Sequence, residues 1–360
     1  MQNQSKFFQA LATLGGLGAA AWLLVNLAPV LSPFILAAVL AYALAPAVDA
    51  LAAKRIPRWV GAGLAVCLIM LFMLALLFLV VPVVTKQIPL IREQVPALLT
   101  HLNQWIRPLA AHWGLDLAID VEQVRQSLYA LLSSHDQDLL KSLFGTLQSG
   151  GSALLTIVGN GVLMPIVAVY LLLDYRRVTE GVFGLVPPRW QSATGSFLHD
   201  VDVVLGRYLR GQALVMLALA SFYIVALAAI GLDLAFPIGL FTGVVVFIPF
   251  LGFGLGLLMA LFAAALEFQS VTGVLAVAGV YAVGQVVESM WLTPKFLGDQ
   301  IGLSPIAVIF SLMAFGQLFG FVGVLVALPA SAVLLVAIQR VRAQYETSDF
   351  YLQSDSDQHP

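Results

Sequence analysis

The sequence predicts an all-α, polytopic transmembrane protein with two broken-helix stretches of the re-entrant hairpin kind and a small helical extracytoplasmic insertion. Three observations carry this. Of 360 residues, 61% are hydrophobic and only 10% charged, and the mean hydropathy is +0.97, so there is too little polar surface to coat a soluble globule of this size. Apolar runs recur at about 20 residues, the length that crosses ~30 Å of hydrocarbon at 1.5 Å per residue. The alternating pattern that a membrane strand requires is missing, which leaves helices as the spanning element.

The spans fall near 8–29, 33–53, 60–84, 152–174, 211–232 and 270–292, with longer, interrupted apolar stretches at 235–267 and 304–339. Lys6 followed by apolar residues from Phe7 to Val30 has the look of a signal peptide. The run is about twice the length of a signal h-region and lacks a small-x-small exit, so it reads as the first anchor. Pro33 and Pro46, near the ends of the second run, mark an entrance and a kink rather than a break. The organisation that follows is N-terminal transmembrane helices over 1–85, an extracytoplasmic amphipathic segment over 86–150 and a transmembrane helix over 151–175. A cytoplasmic amphipathic connector over 176–210, a transmembrane core with two hairpins over 211–340 and a disordered cytoplasmic tail over 341–360 complete it.

Basic residues set the orientation. Lys54, Arg55 and Arg58 cluster after the second span, Arg176, Arg177, Arg189, Arg207 and Arg210 after the fourth, and Arg340 and Arg342 after the last. Placing these in the cytoplasm leaves only Lys86, Arg92, Arg107, Arg125 and Lys141 outside. Both termini are then cytoplasmic.

In the 86–150 segment, Val95, Leu98, Leu99, Leu102, Trp105, Ile106 and Leu109 recur at helical spacing, as do Val121, Val124, Leu128, Leu131 and Leu132. Two or three amphipathic helices fit, forming either a packed cap or a gate or subunit contact. His101, His112 and His135 are too widely spaced to suggest a metal site. In the connector, Phe197, Val201, Val204, Leu205 and Tyr208 form an apolar face that runs toward the fifth span. Its charges are either solvated or, in the sharper reading, Asp202, Arg207, Arg210 and Gln212 line a cytoplasmic entrance.

The interrupted stretches give the strongest mechanistic hint. Ile248-Pro249-Phe250-Leu251-Gly252-Phe253-Gly254-Leu255-Gly256 splits the first, and Gly316-Gln317-Leu318-Phe319-Gly320-Phe321-Val322-Gly323 sits at the centre of the second. The flanking pieces of the first cover only ~20 Å each, short of a full crossing. Paired apolar segments broken by Gly or Pro point to discontinuous helices whose freed backbone lines a solute site. The alternatives are glycines that permit close helix packing, or two short spans.

Between these stretches, Gln285 and Glu288 share a helix face at i, i+3, and Thr293-Pro294-Lys295 is expected to end that helix. A carboxylate in so apolar a run needs a partner or a watery path. Either Glu288 pairs with Lys295 or an arginine, or it exchanges a proton or holds a cation as the hairpins move. The candidate pathway is therefore Gln285, Glu288, Thr293, Pro294, Pro249, Gly252, Gly254, Gly316, Gln317, Gly320 and Gly323.

Several functions are excluded. The single cysteine, Cys67, rules out a disulfide framework and a cysteine metal site. A net charge of −2 offers no footprint for nucleic acid. No GxxxxGK[ST] loop is present to bind ATP, and Ser196, His199 and Asp200 sit too close in sequence on one helix to read as a hydrolytic triad. No enzyme activity, cofactor or metal is expected.

Several motifs, taken in order, resemble the autoinducer-2 exporter family of bacterial permeases over nearly the full length. They are Pro33-Phe34 through Tyr42-x-x-x-Pro46 with Pro57-Arg58, Asp174, Tyr208-x-x-Gly211-Gln212, and Ile248-Pro249-Phe250-Leu251-Gly252. Gln285-x-x-Glu288 with Pro294 follows, then Gly298 through Leu303-x-Pro305, Phe319-Gly320-x-x-Gly323 and Pro329. The resemblance implies an inner-membrane transporter that assembles as a homo-oligomer, a pentamer, and exports a small polar signal such as autoinducer-2 by alternating access. It also implies, as the second reading, sodium or lithium/proton antiport. Phe250 and Ser304 stand where the family often has tyrosine and histidine, which removes two polar groups that a proton relay in relatives would use. A third reading, different in kind, is an oligomeric scaffold or channel-like assembly without coupled transport.

Overall fold

The computed structural model describes residues 2–83, 159–268, 270–296 and 304–348. The 86–150 insertion, with its three histidines, lies outside the described residues. Among those described, every regular element is helical. Helix α1 covers Gln2–Ala53, α2 Arg58–Val83, α3 Met164–Gly184 and α4 Pro188–Ala229. They are followed by α5 at Ala235–Val245, α6 at Leu251–Phe268, α7 at Val271–Phe296 and α8 at Pro305–Glu346. Six helices contain segments long and apolar enough to cross a membrane: Val30–Ala53 of α1, and α2, α4, α6, α7 and α8. The chain is a multi-pass helical membrane protein.

The chain divides into two compact units. Unit 1 comprises Met1–Cys67, Val158–Gly211 and Leu297–Pro360; unit 2 comprises Leu68–Ile157 and Gln212–Phe296.

In unit 1, α1 packs against α3 and α8. The sequence led us to expect two spans with a break near residue 30, whereas α1 is one continuous helix of 52 residues. Pro29 and Pro33 lie inside it. A proline removes one backbone hydrogen bond, and in an apolar helix packed on neighbours that loss bends the chain without breaking it. Ala37, Ala41 and Val48 of α1 and Ala168 and Leu172 of α3 are buried, and Val48 lies against Gly61 of α2. The helix stops where Arg55 adopts φ 66 and Ile56 N–H donates to the Leu51 carbonyl at 3.3 Å. This is the left-handed terminating turn usually given to glycine.

α8 carries the second interrupted stretch. Gly320 has φ 62 and ψ −141, outside the helical region. A Cβ on Gly323 would strike the Phe315 carbonyl oxygen, and one on Gly316 would lie 3.0 Å from Val324. Residues eight apart on a straight helix stand ~12 Å apart along the axis, so the chain reverses at Gly320. The first arm, 305–319, then covers only ~22 Å, less than the hydrocarbon thickness. The second arm runs to Glu346, so helix occupies the first residues of the segment expected to be a tail. Arg342 secures that end through an i, i+4 ion pair to Glu346 at 2.7 Å.

Unit 2 contains the first interrupted stretch as a helical hairpin, α5 and α6. At 11 residues, α5 covers ~16 Å and is too short to span. Close packing is set by glycine. Gly239 and Gly243 form a G-x-x-x-G face on α5: a Cβ on Gly239 would come within 2.5 Å of the Ile224 backbone nitrogen, and one on Gly243 would overlap the backbone of Ala220. Such faces let helices approach where hydrophobic attraction between them is weak. α6 continues the pattern with Gly252, Gly256, Ala260 and Ala264, all buried at four-residue intervals. Large apolar side chains are pushed outward instead; Leu71, Leu77 and Phe78 of α2 are exposed, Phe78 at 71%. Lipid, not water, suits that surface.

Gly243→Ala is expected to cost about 1–3 kcal/mol by overpacking, whereas Gly254→Ala, which meets nothing within 4 Å, stays within about 0.5 kcal/mol. Thermal unfolding of the two variants in detergent checks this; equal effects would remove the close-packing account.

Candidate functional site

The polar residues of unit 2 converge on α7. Thr242 of α5, fully buried, donates its hydroxyl proton to the Ile238 carbonyl at 2.8 Å. With that single proton used, the contact between Thr242 Oγ1 and Tyr281 Oη at 2.8 Å has tyrosine as the donor. Gly256 lies directly against this pair, since a Cβ there would overlap Thr242 Oγ1. Tyr281 stacks on Tyr223 with ring centroids 4.6 Å apart. Tyr223 in turn lies over Gly284, where a Cβ would run into its hydroxyl. Glu288 is one turn further along the same face and near enough to act electrostatically on Tyr223.

Among the described residues, two oxygens in this cluster have no partner: Tyr223 Oη and Glu288 Oε2 are both buried without a hydrogen bond. Each such group costs about 1–3 kcal/mol in an apolar setting. Of the two accounts of Glu288, pairing with Lys295 is not seen among the described residues. The Lys295 ammonium lies over the Trp291 ring instead, 5.0 Å from its centroid.

Glu288 also opens a π turn, Glu288–Leu292, in which the Thr293 N–H reaches back to the Glu288 carbonyl. The expected end of the helix at Thr293-Pro294-Lys295 is not observed, and α7 continues to Phe296. Pro294 has no N–H and its ring crowds the carbonyl four residues earlier; the wider π turn accommodates it without ending the helix. Single π turns of this kind concentrate at functional sites. Gln285 is half-buried beside Glu288, while Thr293 and Pro294 are exposed.

The other expected pathway residues fall in two places. Pro249, Gly252 and Gly254 belong to the α5–α6 turn in unit 2. Gly252 is packed against the Val246 backbone, and Gly254 has open space beside it. Phe250, between α5 and α6, has φ 67, a left-handed conformation that costs an aromatic residue about 1–2 kcal/mol. Gly316, Gln317, Gly320 and Gly323 line the reversal of α8 in unit 1; Gly323 packs on Phe315, Gly320 provides the positive φ, and Gln317 is exposed.

The expected entrance group also divides. Asp202 accepts the Tyr42 hydroxyl at 2.6 Å. The Arg210 guanidinium lies beside the same hydroxyl across Gly206, where a Cβ would be 3.1 Å from Tyr42 Oη and 3.3 Å from Arg210. Arg207 is exposed. Gln212, in unit 2, plays a different part. Buried, it donates to the Val246 carbonyl at 3.1 Å and holds the end of α5. Ser196 and Asp200, weighed for a triad, bind Arg340 at 2.5 and 3.4 Å.

Reading the sequence for charges missed Thr242, Tyr223 and Tyr281. Their signal is weak but present, namely hydroxyl side chains spaced through otherwise apolar helices.

Helices long and apolar enough to cross a membrane define the class as a multi-pass helical membrane protein. The comparisons give the family. The model of the AI-2E family transporter matches residues 11–343, and the chain belongs to that family. It is 28% identical over 324 residues to the Bacillus subtilis (strain 168) protein named "Putative transport protein YrrI", covering 88% of this chain and 87% of the relative. It is 25% identical over 316 residues to AI-2 transport protein TqsA of Escherichia coli (strain K12), covering 87% and 86%.

Replacing Gln212 with Leu leaves the Val246 carbonyl without its donor and is expected to lower stability by about 1–3 kcal/mol. Gln212→Met, close in length but with no proton to give, should not restore it. Thermal unfolding in detergent measures both, and wild-type stability in either would separate Gln212 from the hairpin.

Proposed function

We propose that this protein carries a small polar solute across the membrane, and that the solute or its coupling proton completes Tyr223 Oη and Glu288 Oε2. The observation that carries the reading is that these two buried oxygens on neighbouring helices have no partner among the described residues. In hydrocarbon an ionisable group of this kind belongs to a pathway by default. The π turn at Glu288 and the short α5 supply local backbone that adjusts, as alternating access requires. Family membership supports transport, and the relative TqsA, an AI-2 transport protein, makes export of a hydroxylated signal of that type the leading substrate class. Gln285, one turn before Glu288, adds an amide able to both donate and accept. The protein works as a homo-oligomer in the inner membrane with its C-terminus in the cytoplasm.

The test is flux in liposomes, with labelled furanone and sodium followed against imposed proton gradients. The expected result is furanone flux that is lost in Glu288→Gln and reduced about tenfold in Tyr223→Phe, the value of one hydrogen bond to the solute. Sodium flux in place of furanone flux would favour antiport. Correctly oriented protein that moves neither would favour a scaffold, and unchanged furanone flux in both variants would assign Glu288 and Tyr223 to folding.

A further inference from the structure

We propose that unit 1 holds an anionic phospholipid, with one acyl chain in the cavity between α1, α3 and α4 and its phosphate on Arg58. The cavity measures about 320 Å³ and is bounded mostly by carbon, with Ala38, Ala41, Leu171 and Leu205 in its wall. At ~30 Å³ for a group the size of water, it takes roughly ten methylene-sized units. A polar solute would give up its hydration to walls that return almost no hydrogen bonds; an alkyl chain gives up none.

The polar part of the lining decides what sits at the chain's end. Tyr42, Tyr175, Thr179 and Arg58 supply it. Tyr42 gives its proton to Asp202 and Thr179 gives its proton to the Tyr175 carbonyl at 2.8 Å. Arg58 has five N–H groups in a fixed fork. Its Nε donates to the Leu172 carbonyl at 3.2 Å and its Nη2 pairs with Asp49 at 3.2 Å. These two contacts orient the fork and leave N–H groups for a phosphate, which an arginine grips in bidentate fashion. Lys54 and Arg55, both exposed in the turn just before Arg58, and Arg210 beside Tyr42 bring the local balance to four cations against the two carboxylates of Asp49 and Asp202. Basic pockets between transmembrane helices, at the ends where positive residues gather, are the sites that bind anionic lipid headgroups. Neither Tyr223 nor Glu288 takes part, so the site stands apart from the transport reading.

The purified, delipidated full chain is titrated by native mass spectrometry with phosphatidylglycerol and with phosphatidylethanolamine of the same chain length. We expect one phosphatidylglycerol bound about tenfold more tightly than phosphatidylethanolamine, the value of one charge-assisted hydrogen bond. Arg58→Gln should abolish that preference. Ala38→Phe, which fills the cavity from an exposed position, should weaken both lipids about tenfold, with Ala45→Phe serving the same purpose if the first variant is not monodisperse. The proposal is overturned if Arg58→Gln keeps the preference, if the filled variants bind as wild type, or if millimolar inorganic phosphate displaces the lipid, which would make the ligand a free anion.

Discussion

Inside hydrocarbon a backbone N–H or C=O without a partner has no water to turn to, and the break between α5 and α6 is built around that constraint. Between α5 and α6 the chain is non-helical for a few residues. There Phe247 and Ile248 N–H groups return to Val244 and Val245 carbonyls at 3.2 and 2.9 Å, while the Gln212 side chain takes the Val246 carbonyl. A polar side chain placed deep in an apolar helix is costly unless it is engaged. Gln212 is engaged by the Val246 carbonyl at the end of α5.

The same economy explains where small residues lie. Helices in lipid associate through contact and not through expulsion of water, so their backbones must come close. Gly239 and Gly243 on α5, and Gly256 on α6, create that proximity. Once the backbones are this near, the hydroxyl of Thr242 and the phenol of Tyr281 meet beside Gly256, between the rings of Tyr223 and Phe253.

Against this background, Tyr223 and Glu288 stand out because the fold does not complete them. Charged side chains elsewhere are put to use. Arg340 alone engages Ala193, Ser196 and Asp200, and Arg58 joins Asp49 to α3. Two hydroxyls of unit 1, on Tyr208 and Ser331, are also buried without a partner, but each is a neutral group. In unit 2 an open phenol and an open carboxylate occur close enough to feel each other. An ionisable group is the costlier of the two kinds to leave incomplete, and that cost is met when something arrives from outside.

By itself the sequence determined the class, because its composition admits only lipid as solvent, and the approximate positions of the spans, because crossing length is fixed by hydrocarbon thickness. It also located both interruptions, since Pro249 and Gly320 cannot be read as ordinary helix interior, and it singled out Glu288 as an anomalous charge. It did not determine that Pro33 would be absorbed into one long helix, or that Pro294 would be carried by a π turn, because the loss of one hydrogen bond is settled by what packs alongside. Gln212 was read as an entrance residue, though its partner, the Val246 carbonyl, is a backbone group that no side-chain pattern records. Tertiary structure alone decided the meeting of Thr242, Tyr281, Tyr223 and Glu288. Their separation along the chain is closed by glycine-mediated helix contact, and proximity of that kind is a property of the packed backbone that no periodicity in the sequence expresses.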